Sequence, residues 1–422
     1  MNKIAALLIV ISAATAFPQT PTPSSQAQLS PAERSIAQAN RLIEKNPKDF
    51  EAYNALALAL SRRARETSDV TYYTRAEEAL QKSFAISADN FDGARTHVWL
   101  LLGKHEFAAA LEEAKKLNKK MPDDIMIYGF LTDANVELGN YQEAEAAAQW
   151  MLDLRPGNLP GLPRAAYLRE LFGDVDGAME LMNMALQSTP PSEAEDAAWI
   201  LTQMAHLELA MGKIAEAEKY LEQALKLFPG YHYALGNLAK VRTQQKHYDE
   251  AVQLLQQRYQ AASHAENLYD LAEALQLAGR GADAKKAFAE FEQKSLLETN
   301  RADNSNRELI FYYADHAHEP AKALEVAQQE LARRHDVYTL DAYAWALHVN
   351  GQNGEARKQI EAVLSVGIRD AKMLHHAGEI ALSLGEHAEA ERFLQDAASL
   401  RAHRPEQART SLMGLTGNTE NR

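Results

Sequence analysis

The chain has 422 residues, 46% of them hydrophobic, with 44 Lys and Arg against 58 Asp and Glu, a net charge of −14. That length exceeds what one hydrophobic core organises, and the negative balance disfavours nucleic acid and anionic lipid surfaces. The absence of cysteine excludes disulfides, a thiol nucleophile and a lipid anchor on an N-terminal cysteine.

Residues 1–16 read as a secretory signal peptide. Lys3 supplies the positive start, residues 4–12 an apolar core, and Ala14-Thr15-Ala16 a small-residue cleavage pattern. The apolar run is too short to cross about 30 Å of hydrocarbon. A mature chain starting near Phe17, periplasmic or secreted from a bacterium and with no membrane span, is therefore expected. Residues 17–31, rich in Pro, Thr, Ser and Gln, read as a flexible linker. Ser30-Pro31-Ala32-Glu33 is a helix start, with Ser at the cap, Pro at the first position and Glu at the third. That helix should end before Pro47 and cap a helical array.

From residue 50 the chain repeats itself. Residues 125–158 show the unit: two helical patterns, parted at Gly139-Asn140 and stopped at Pro156. A small residue recurs in the second helix at Ala76, Ala110, Ala144, Ala178, Ala217, Ala251, Ala284, Ala323, Ala356 and Ala390, mostly 33 or 34 residues apart and twice 39. Pro122, Pro156 and Pro190 keep the same step. Four departures stand out. Residues 65–69 read as a longer inter-helix turn. Pro160 and Pro163 delay a first helix, and Pro190-Pro191-Ser192-Glu193 opens an inserted connection. Lys246 replaces the turn glycine, so a modified turn is expected there. Residues 299–306 are polar and without helical pattern, a candidate hinge. They divide an N-terminal array, 32–298, from a C-terminal array, 299–402, whose first repeat is degenerate, with helices at 306–316 and 320–334. Residues 403–422 read as a disordered tail.

A helix–turn–helix period of about 34 residues resembles the tetratricopeptide repeat (TPR) family. The resemblance implies an all-α, right-handed superhelical solenoid of about ten helix pairs that acts as a protein-interaction scaffold. The stretch from Asp341, with Ala344–Leu347 (Ala-Trp-Ala-Leu) followed by His376-Ala377-Gly378, resembles the C-terminal repeats of a recurring type of bacterial TPR protein.

The second, fifth and ninth residues of each first helix line the concave groove in that family. Mapped here, and with Phe130 beside them, they give candidate partner-binding residues Trp99, Phe130, Tyr167, Trp199, His206, Tyr233, Lys240, Trp345, His375 and Glu379. Three of the four Trp fall among them, and Trp150 lies on a second helix. The groove thus offers rings rather than a lysine clamp for a carboxylate, and such rings serve either as binding anchors or as core. No catalytic residues, metal site or cofactor are expected. His375, His376 and Glu379 share a helix face but make an incomplete metal set. His105-Glu106 and His318-Glu319 lack the second His of H-E-x-x-H, and no G-x-S-x-G, Walker loop or G-x-G-x-x-G is present. The expected partner is a protein or peptide and not nucleic acid. The alternative is a structural subunit of an envelope complex that uses its convex face or ends.

Overall fold

The computed structural model describes residues 29–301 and 304–401. The expected leader at 1–16, most of the expected linker and the expected tail at 403–422 lie outside the described residues. A lead helix, α1 (Pro31–Lys45), is followed by ten helix pairs. They are α2 (Phe50–Thr67) and α3 (Thr71–Ile86), α4 (Phe91–Gly103) and α5 (Phe107–Lys120), α6 (Ile125–Glu137) and α7 (Tyr141–Leu154), and α8 (Gly161–Leu171) and α9 (Val175–Ser188). Next come α10 (Ala194–Ala210) and α11 (Ile214–Leu227), α12 (His232–Gln244) and α13 (Tyr248–Ala261), and α14 (Ala265–Leu277) and α15 (Gly281–Leu296). The last three are α16 (Asn306–Phe311), continued by a π-helical turn over Tyr312–His316, with α17 (Pro320–Leu331); α18 (Val337–Val349) with α19 (Asn353–Ser365); and α20 (Ala371–Ser383) with α21 (His387–Arg401). No strand occurs among the described residues. The architecture is an all-α solenoid.

Local chemistry sets the helix ends. Ser30 and Glu33 form the reciprocal capping box that the sequence predicts. Asp49, Asn90, Asp124, Asp174, Asp336 and Asp370 each accept hydrogen bonds from the first turn of the helix they precede. The ten repeated alanines are all buried, nine of them with no exposed surface. A methyl group there lets each second helix approach its partner closely, so the register of the solenoid is written in these positions.

Inter-helix turns need one residue at positive φ, and Gly139, Gly173, Gly212, Gly279, Gly351 and Gly385 supply it. The turn at Lys246 is not modified as expected. Lys246 takes φ 63° and keeps the same bonding, its own N–H to the Thr243 carbonyl and that of His247 to Arg242.

Two expected loops are helix instead. α2 runs on through Arg65, Glu66 and Thr67, and α10 starts at Ala194 rather than after the insertion. Both additions are extra helical turns, and they meet. Arg62 pairs with Glu193 at 2.6 Å, and Arg65 with Asp196 at 2.7 Å and with Glu195.

The solenoid also closes on itself further along. His335 donates its backbone N–H to the Glu137 carbonyl (2.9 Å), and Val337 donates to the Tyr141 hydroxyl (2.9 Å). One core cluster joins Val136, Leu168 and Leu171 to Val337, Leu347, Ile360 and Ile380. The polar stretch around residue 300 is strapped down. Arg333 donates to the carbonyls of Thr299 and Arg301, Asn306 donates to Glu330, and another core cluster runs across it from Ala239 to Ala346.

Candidate partner-binding cleft

The inner face of the first five pairs encloses a cleft of about 610 Å³. Trp99 enters from α4, Tyr167 from α8 and Trp199 from α10, with Met126, Leu159, Pro163 and Met182 between them. Phe130, expected beside the groove, belongs to the core instead. It is 2% exposed and meets Trp99 edge-on, centroids 6.1 Å apart, so it supports the ring that lines the cleft.

The cleft holds charge as well as rings. Asp133, Glu137, Glu170 and Asp196 face it, with Arg65 and Arg164. Asp133 grips Arg164 through both oxygens, at 2.8 and 2.6 Å, and the same guanidinium donates to the carbonyls of Pro160 and Gly129. Burial disfavours the charge on Arg65, but Glu195 and Asp196 more than offset this and hold the group firmly protonated. Glu195 also accepts from the Tyr231 hydroxyl at 2.8 Å. His206 Nε2 lies 2.7 Å from Glu170, fixing that carboxylate on the wall. Glu137 is pushed up to about 6 by burial and by nearby Asp336, against the pull of Arg334. Burial, then Tyr338 and Glu137, keep the Tyr167 hydroxyl well above the usual tyrosine range.

The remaining sequence candidates do not line this cleft. Tyr233 packs on His232, ring centres 3.9 Å apart, and burial lifts its hydroxyl to about 12. Lys240 is exposed on α12. Trp345 donates its indole N–H to Asp315 (2.7 Å) and stacks on His376 at 4.3 Å, whose Nδ1 lies 2.8 Å from Asp341. His375 and Glu379 are half-buried on α20. Trp99, Tyr167 and Trp199 thus share the cleft, Trp345 and His375 both meet His376, and Tyr233 and Lys240 on α12 belong to neither group. Met126, Asp133, Pro160 and Pro163 occupy the same second, fifth and ninth repeat positions as the rings, so the position rule reaches them although aromatic character does not. Glu137 stands one helical turn beyond Asp133 on the same face of α6, whereas Arg65 joins the cleft where α2 meets α10, which no local pattern announces.

A helix-pair solenoid with an inward cleft has the architecture of a protein-interaction scaffold. Residues 208–258 and 342–408 match tetratricopeptide repeat models. The human IFIT1 dimer with m7Gppp-AAAA is 15% identical, with 88% of this chain and 86% of that one covered and a TM-score of 0.51. The IFIT1 dimer with PPP-AAAA gives 14%, the same coverages and 0.50. The APC/C hetero-tetramer Cut9-Hcn1 gives 15%, 86% of this chain and 58% of that one, and 0.48. No curated protein shows significant sequence similarity to the chain. The two matched stretches are tetratricopeptide repeats.

Proposed function

We propose that the protein is a non-enzymatic adaptor that binds a segment of a protein partner in the cleft between α4, α6, α8 and α10. The convergence of Trp99, Tyr167 and Trp199 on one cavity carries this reading. Rings give large contact area at low conformational cost, and the walls are already held by ion pairs, so the ordering cost falls mainly on the ligand. The IFIT1 structures hold PPP-AAAA and m7Gppp-AAAA. A chain of net charge −14 with four carboxylates around its cleft is poorly suited to nucleic acid.

A signal-peptide pattern in the first sixteen residues supports action in the periplasm or outside the cell. N-terminal sequencing of the exported protein tests this, and an intact Met1 would refute it. A second reading, a structural subunit of an envelope complex using its convex face, is favoured by Trp150. That ring is 54% exposed on the second helix of its pair and stacks on Tyr128 at 6.2 Å. Cross-linked capture from the native envelope with Trp199→Ala and Trp150→Ala separates the two readings. Loss of the partner with the first supports the cleft, and loss with the second supports the convex face.

A further inference from the structure

We propose that the cleft takes a lysine or arginine side chain of the partner segment, held over the faces of Trp99 and Trp199 and countered by Glu170 and Glu137. The inference rests on the proposed use of the cleft and names the chemistry of its occupant.

The argument is one of charge complementarity within a shaped cavity. Four carboxylates line it against two guanidiniums. Both guanidiniums are engaged. Arg164 is gripped by Asp133 and two backbone carbonyls, and Arg65 is tied to Glu195 and Asp196 across the closure. An incoming anion would have to displace one of these pairs, and the same displacement would leave a carboxylate uncompensated. A cation needs no displacement. Glu170 is paired with the His206 imidazole, and Glu137 lies 3.4 Å from Arg334. Aromatic faces carry negative quadrupoles, so three rings beside these carboxylates suit an ammonium or guanidinium on an apolar stem.

The test titrates the full chain by tryptophan fluorescence with three probes: a short Leu–Lys peptide, the same peptide acetylated on every lysine, and its Lys→Glu counterpart. The cationic peptide should bind about tenfold tighter than the acetylated one, and the acidic one should bind more weakly still. The advantage should shrink on raising salt from about 0.05 to 0.5 M. Glu170→Gln, which keeps a hydrogen-bonding group for His206, should cut the preference for the cationic over the acetylated peptide. Melting curves confirm that this variant folds. Equal binding of cationic and acetylated peptides, both lost in Trp199→Ala, overturns the cation inference and leaves the cleft reading standing. Tighter binding of the acidic peptide overturns it in favour of an anion site. If Trp199→Ala changes the binding of no probe, the cleft is not the binding site and both readings fall.

Discussion

Arg65 of α2 and Asp196 of α10, 131 residues apart in the chain, meet at 2.7 Å across the interior of the solenoid. The same guanidinium holds Glu195, which is 1% exposed. Removing Arg65 leaves that carboxylate buried without a cation. We expect Arg65→Ala to cost about 3 kcal/mol of stability in urea unfolding. Glu195→Gln in the same background should restore part of the loss, because the group left behind is then neutral. If the double variant is no more stable than Arg65→Ala, the pair is not the source of the cost.

His232, at the same junction, is 1% exposed and bonds the Arg65 carbonyl at 3.1 Å. Burial lowers it to about 4 from an ordinary 6.5. Between these values the unfolded chain takes up a proton that the folded chain refuses, so stability falls as pH drops from about 6.5 to 4. The full effect is about 3 kcal/mol. Glu137, pushed up to about 6, acts with the opposite sign. The folded state holds its proton above the unfolded value, so stability falls as pH rises through 4.5 to 6. Unfolding of wild type and His232→Gln at pH 7 and pH 4.5 isolates the histidine: the variant should show a smaller acid loss. Equal losses would mean that His232 is protonated in the fold.

Lys246 takes the left-handed turn conformation that glycine holds in most other pairs. Lys246→Gly should stabilise by about 0.5–1 kcal/mol, the left-handed strain removed less the added freedom of the unfolded chain. Lys246→Val, β-branched at positive φ, should destabilise by a similar amount or more. A thermal melt of the three proteins reads the order directly.

Trp199 and Trp345 should separate in a paired measurement of melting temperature and partner capture. Trp199→Ala opens a solvent-facing wall and should keep the melting temperature while losing about 2 kcal/mol of binding. Trp345→Ala removes a ring stacked on a buried histidine and hydrogen-bonded to Asp315, so it should melt earlier. The reverse pattern would move the binding surface to the Trp345 side.

Much of the fold is legible because its determinants are local. The alanine register, the cap at Ser30 and the degenerate pair beginning at Asn306 all arise from contacts within one repeat or its neighbour. Trp99 and Tyr167 are legible as inward residues for the same reason. The clasp is not, because it depends on the small rotations of several successive pairs adding up to a closed turn. Residues 65–69 and the connection opened by 190–193 therefore read as loop insertions, although α2 runs to Thr67 and α10 starts at Ala194, where the two helices meet. Phe130 stands one position beyond the groove-facing fifth residue of its helix, and that single step of rotation turns its ring into the core.

The contacts between Val136, Leu168 and Leu171 and the last pairs bear on how the molecule folds. An open array of repeats behaves as a one-dimensional chain whose units form and melt with their neighbours. Here Glu137 and Tyr141 hold residues almost two hundred positions later, so the middle pairs are completed only when the final ones arrive. During synthesis the apolar edge of α8 must wait uncovered until α18 and α20 have emerged. Denaturation should correspondingly be one sharp transition rather than fraying from the ends, and removal of α18–α21 should leave a protein that aggregates rather than a shorter soluble array.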